Sequence, residues 1–168
     1  MNRERYHPIP IGADLLRYNN FEFIVGGSRG PIQLMCKSFT LTLPKTNPVP
    51  VPWASGTMSL AGRTTGAYSF NIICLVGIDS QYNAWEDLYR WRERIFDHES
   101  GRISLASEYK ESATLRIYDI AAESLKAEAQ MSGVWPSEVT DLTFTVEGDG
   151  PVEVSAVFYA DKIKMTSF

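Results

Sequence analysis

The chain has 168 residues, 44% of them hydrophobic and 21% charged, with a formal net charge of −4. That length fits one domain, 1–168, with its own core, and the mildly acidic balance argues against a nucleic-acid binder, which would normally show a basic patch. The densest basic run, Arg90, Arg92 and Arg94, is interrupted by Glu86, Asp87, Glu93 and Asp97.

Aromatic residues reach 12% of the chain, so the core and any interfaces should rest on them. The polar start Met1-Asn2-Arg3-Glu4-Arg5 is followed by no apolar signal region, and no stretch approaches the ~20 apolar residues of a membrane span. The expectation is a protein made and folded in a cytoplasm. Cys36 and Cys74 each lie in an apolar, strand-like run and read as buried reduced thiols, not as a disulfide scaffold.

In chain order, residues 1–18 carry Pro8, Pro10 and Gly12 and read as an irregular arm. Alternation predicts a strand over 21–25, a turn at 26–31 and a second strand from Ile32 to about Leu41. Pro44, Pro48, Pro50 and Pro52 then exclude a helix or a central strand. They predict a semi-rigid loop over 44–60 that carries Val49, Val51, Trp53 and Met58 outward, which suits a loop that docks on a neighbour. A strand or strand end is expected over 57–62, and a stronger strand over 67–76. Asp79-Ser80 supplies capping chemistry for a helix over 81–97, with Trp85, Leu88, Tyr89, Arg92, Ile95 and Phe96 as its stripe. Strands follow over 114–118, 123–132, 139–146 and 152–159, with breaks at Gly133-Val134-Trp135-Pro136 and at 147–151. Short strands joined by turns, plus one amphipathic helix, predict a mainly β protein: an antiparallel β-sandwich or barrel.

Residues suited to catalysis are scarce. Only His7 and His98 are present; His7 lies in the arm, and His98 sits where a cation favours a helix C-terminus. Gly26-Gly27-Ser28-Arg29-Gly30 lacks the Lys-Ser/Thr and helix of a phosphate loop and reads as a hairpin turn. No metal motif or nucleophile motif is present, so no catalytic residue, cofactor or metal is expected. A monomeric β-sandwich binding module and a carboxylate-based hydrolase stay open as rival classes.

Four stretches together resemble the tail tube proteins of contractile-tailed phages. They are Leu34-Met35-Cys36-Lys37 running to Leu43-Pro44; Leu60-Ala61-Gly62-Arg63-Thr64; the helix with Leu88-Tyr89-Arg90-Trp91; and Glu108-Tyr109-Lys110-Glu111-Ser112-Ala113, followed by Arg116, Tyr118-Asp119 and Gly133-Val134-Trp135-Pro136. The resemblance implies a structural subunit of a virion tail, not an enzyme. Its hexameric rings stack into a tube lined by one continuous β-barrel, DNA passes through, and a contractile sheath surrounds it. Sheath, baseplate and tail-terminator proteins are the implied partners, the host bacterial cytoplasm is the implied place of assembly, and related tubes occur in type VI secretion and phage-tail-like bacteriocins.

Within that frame three surfaces are expected. Val49, Val51, Trp53 and Met58 form the inter-ring interface. Thr114, Arg116, Lys126, Glu128 and Gln130 line the lumen, which should be acidic or neutral, with its basic groups paired between subunits. Glu86, Arg90, Glu93, Arg94 and Asp97 face the sheath through weak, exposed ion pairs.

Overall fold

The computed structural model describes residues 20–26, 30–119 and 124–167. The 1–18 arm with His7, the middle of the 26–31 turn and Glu123 lie outside them.

Strand β1 (Phe21–Val25) matches the alternation. The expected second strand begins later, because Pro31–Met35 forms a short helix, α1. Pro31 opens it, where a fixed φ helps and a missing donor costs nothing, and the Leu34 amide donates to the Gly30 carbonyl at 3.2 Å. Strand β2 then spans Cys36–Thr42. The proline-rich segment is not a loop. It is a hairpin of β3 (Lys45–Trp53) and β4 (Gly56–Thr65), whose strands, among the described residues, pair only with each other. Strand β5 (Tyr68–Leu75) buries Phe70, Ile72 and Cys74 on the expected face.

A 3-10 turn occupies Ser80–Tyr82, so Asp79-Ser80 does not cap the main helix. That helix, α2, runs Ala84–Ile95 and is capped by Asn83, whose side chain accepts the Glu86 amide at 3.0 Å. Its buried residues are Ala84, Leu88 and Trp91; Tyr89, Arg92 and Phe96 are exposed. The stripe is thus rotated from the expected one. Trp91 takes the place because its indole N–H is satisfied by the Tyr109 carbonyl at 2.6 Å. A two-residue hairpin of β6 (Phe96–Asp97) and β7 (Arg102–Ile103) and a short helix α3 (Ala106–Tyr109) follow.

Strand β8 covers Glu111–Tyr118. Strand β9 runs Leu125–Val139 without the expected break. Gly133, at φ +66°, bends it, and a Cβ there would sit 2.0 Å from an Asp161 carboxylate oxygen. Pro136 lies past the end of β8 pairing, opposite an irregularity in its other neighbour, so its missing donor breaks no regular ladder. The expected 139–146 strand is absent: 140–152 is irregular, with Leu142 half-buried against the core and Phe144 and Val146 exposed. Alternation was present there, yet beyond Thr140, which bonds Ser155, the segment joins no ladder. Strands β10 (Glu153–Ala160) and β11 (Lys162–Ser167) end the described chain; the second was not expected.

All strand pairs are antiparallel, and the bend in β9 divides the main array. Its first part lies between β8 and β11, with β1 beyond β8; its last part joins β10, then β5, then β2. Among the described residues no sheet closes, so the barrel alternative fails for the single chain. The two halves face each other through aromatic rings. Phe23 of β1 lies 5.1 Å from Phe39 and 5.4 Å from Phe70, and Phe158 stacks on Phe70 at 4.9 Å. Helix α2 covers the remaining side, with Trp91 5.5 Å from Phe158. Burying each such ring contributes roughly 1.5–3 kcal/mol.

Candidate functional site

The β3–β4 hairpin has an unusual composition for its position. Val49 pairs with Leu60, Val51 with Met58, and Trp53 with Gly56, and directly opposed side chains share a face. One face therefore consists of Val49, Val51, Trp53, Met58 and Leu60. Four of these five are exposed, Trp53 at 70%. The opposite face holds Pro48, Pro50 and Pro52 against Ala61, Ser59 and Thr57. All four residues expected at an interface thus fall together, and Leu60 joins them. Extending the 57–62 alternation by one pair would have found it.

The hairpin's two edges differ as well. Prolines two apart turn their nitrogens to the same edge, and a β3–β4 ladder forms only if that edge faces away from β4. The outer edge of β3 is therefore stripped of donors. The outer edge of β4, at Thr57, Ser59 and Ala61, keeps its amides and carbonyls. Gly62 lets the two strands approach: a Cβ there would lie 2.5 Å from Val49 and 2.7 Å from the Asn47 carbonyl oxygen. At the tip Ala54 has φ +47°, a conformation that favours glycine.

The polar face of the β1-β8-β9-β11 half holds the second set. Thr114 is opposite Gln130, Arg116 is opposite Glu128, and Lys126 follows in phase on β9. Arg116 has acidic partners within its own chain. Its Nε donates to Glu128 at 3.1 Å, and an NH group lies 3.9 Å from Glu22, which also accepts from the Tyr118 hydroxyl at 2.8 Å. Glu128 is kept below the ordinary carboxylate range by the Gln130 amide and by Arg116. Strand β11 adds Lys162 opposite Ser132 and Lys164 opposite Gln130. Four basic groups thus share this face with two acidic ones among the described residues. The two added lysines were missed although Ile163 and Met165 alternate with Lys162, Lys164 and Thr166, a pattern that was legible as a strand.

The third set lies along α2 and just beyond it. Arg90 pairs with Glu86, and Arg94 pairs with Glu111 at 2.5 Å while covering the Trp91 ring. The Glu93 carboxylate accepts from the Tyr89 hydroxyl and pushes that phenol's pKa up. Asp97 accepts from the Ser100 hydroxyl at 2.5 Å and the Glu99 amide at 2.9 Å, which lowers its pKa. These charges flank an exposed apolar group, Phe96, Ile103 and Leu105, that sequence patterning did not reveal. His98 packs edge-on to Phe96, with ring centroids 4.9 Å apart. Among the described residues no cluster of three or more His, Cys, Asp or Glu could hold a metal ion, and no helix is long and apolar enough to cross a membrane.

No family model matches the chain, and no curated protein does. Solved structures do match. A chain of the tube-terminating cap of the anti-feeding prophage superposes with TM-score 0.71 at 13% identity, over 93% of each chain. A chain of the sheath–tube complex of the extracellular contractile injection system PVC gives 0.66 at 15%, over 98% of this chain and 95% of that one. A chain of the PVC sheath/tube terminator gives 0.70 at 13%, over 92% and 99%. The fold is that of the tube and tube-terminator proteins of contractile injection systems.

Proposed function

We propose that this chain is a structural subunit of the tube of a contractile injection device, in which hexameric rings stack into a hollow conduit inside a sheath. The observation that carries this is the exposed apolar face of the hairpin. A two-stranded hairpin is marginal in water, and one with Val, Trp, Met and Leu on a solvent face is unfavourable until something covers it. In the assembly that face docks on an adjacent ring through Val49, Val51, Trp53, Met58 and Leu60. Open edges support the same reading: β1, β2 and β11 each pair on one side only among the described residues, and joining copies side by side would satisfy them. The whole of 1–168 then acts as one tube domain.

The polar sheet face carrying Thr114, Arg116, Lys126, Glu128 and Gln130 lines the conduit. The side carrying Glu86, Arg90, Glu93, Arg94 and Asp97 meets the sheath. Baseplate and terminator proteins meet the tube ends. A phage tail passing genome DNA is one version, placed in the virion tail and assembled in the host cytoplasm. A phage-derived injection particle is the other. Lys162 and Lys164 on the conduit face favour the second, because DNA grips a basic lining.

The purified protein, concentrated and viewed by negative-stain microscopy, is expected to give rings and tubes. Trp53→Ala should remain folded and give no stacked tubes, since truncating a buried interface aromatic costs about 2 kcal/mol or more per contact. Normal tubes from that variant, or a lone particle from the unaltered chain under all conditions, would overturn the proposal. The likeness to terminator chains favours a second reading, a tube-capping ring, which predicts single rings that add to tube ends and never stack on themselves.

A further inference from the structure

The two cysteines, 38 positions apart, are brought face to face. Cys36 opens β2 and is the partner of Cys74 in β5, beside a one-residue bulge of β2 at 36–38. Opposed residues of an antiparallel pair have Cα atoms about 4.5–5.5 Å apart, inside the range of about 4.4–6.8 Å that a disulfide spans. Both are free thiols. Their surroundings differ. Cys74 is fully buried, whereas Cys36 is partly exposed and lines a cavity of about 280 Å³ with Phe21, Glu22, Gln33 and Leu34. Leu34, on the cavity wall, is half exposed, and Cys36 itself keeps part of its surface open.

We propose that Cys36 and Cys74 are a redox modification site, with Cys36 the attacking and Cys74 the resolving thiol, closed by a small-molecule disulfide such as oxidised glutathione. Electrostatics agree with this order. Hydrogen bonding with Cys74 lowers the pKa of Cys36, while the same contact and burial hold Cys74 protonated. In the first step the Cys36 thiolate attacks one sulfur of the oxidant, forming a mixed disulfide and expelling one thiolate. In the second, the Cys74 sulfur attacks Cys36, its proton passes to the solvent or the departing group, and the second glutathione leaves as a thiol. Two protein thiols are oxidised and one disulfide is reduced to two thiols, so electrons balance.

The placement gives the bond a consequence. The β2–β5 ladder is the base of the hairpin, with Thr42 paired to Ser69 near the point where the chain leaves it and Cys36 paired to Cys74 at the far end. A bond there closes a loop containing all of β3 and β4. In a reducing compartment the pair stays open, and in an oxidising one it closes.

The folded full chain, first reduced and then freed of reductant, is incubated with oxidised glutathione, alkylated and weighed intact. The expected product has lost two hydrogens, resists alkylation at both cysteines and yields a Cys36–Cys74 linked peptide. Cys74→Ser should stop at a glutathione adduct on Cys36, with Cys74→Ala used if circular dichroism shows the serine variant unfolded. Cys36→Ser should react at Cys74 at least tenfold more slowly. An unaltered chain that stays a dithiol, holds an adduct without closing, or links only between molecules overturns the pair. A Cys36→Ser variant that reacts at the original rate overturns the order of attack.

Discussion

The Phe158 neighbourhood and the β3–β4 hairpin are built from similar residues and have opposite surroundings. Phe158 has no exposed surface and sits between Phe70 and Trp91. Trp53 is as aromatic and is 70% exposed. The first region completes its hydrophobic contacts within one chain. Among the described residues, the second makes no substantial contact with any element outside its own two strands. Hydrophobicity alone therefore does not separate core from interface here; what separates them is whether the same chain supplies the covering partner.

The comparison can be broken most sharply by truncating one ring in each region. Phe158→Ala should destabilise the isolated subunit by roughly 3–5 kcal/mol in chemical denaturation, because the cavity cannot collapse between two rings. Trp53→Ala should change that same curve by less than about 0.5 kcal/mol while abolishing stacking. Equal effects on monomer stability would mean that the hairpin packs on its own subunit. A finer test uses the hairpin edges. Ser59→Pro removes an amide from the open edge of β4, opposite Pro50, where the β3–β4 ladder takes no bond. It should leave the monomer within about 0.5 kcal/mol of the parent, and it should weaken assembly if a strand adds at that edge; unchanged tubes would show that only the apolar face is used.

The smallest effect concerns Asp97. Its folded-state pKa is lowered by the Ser100 hydroxyl and the Glu99 amide, so the unfolded chain binds its proton more readily. The associated stability is present above the unfolded carboxylate pKa of about 3.9 and is lost as pH falls through the lower folded value. Melting curves at neutral and strongly acidic pH should therefore differ slightly less for Asp97→Asn than for the parent.

Much of this was legible in the residues. Alternation placed Phe21, Phe23 and Val25, the buried face of β5 and the inward face of β10 correctly, because period-two patterning reports which side of a strand is dry. Proline spacing and stranded apolar residues marked 44–60 as projecting. Other features were missed. Ala84, Leu88, Trp91 and Ile95 are spaced four, three and four, so the buried face of the helix was legible, and choosing Tyr89 over Trp91 missed it. Leu142, Phe144 and Val146 have a strand pattern and no strand, since alternation marks a possible strand and pairing with a neighbour makes one. Gly133 and Pro136 read as a break and proved to be a bend.

The sequence by itself determined the mainly β class, the main helix and the exposure of Val49, Trp53 and Met58, since periodicity and proline chemistry act over a few residues. Only the tertiary structure decided that β9 bends to serve both halves of the array, that Lys162 and Lys164 share a face with Arg116, and that Cys36 lies opposite Cys74. Each of those depends on which distant strands lie side by side, and that is set by the packing of the whole core.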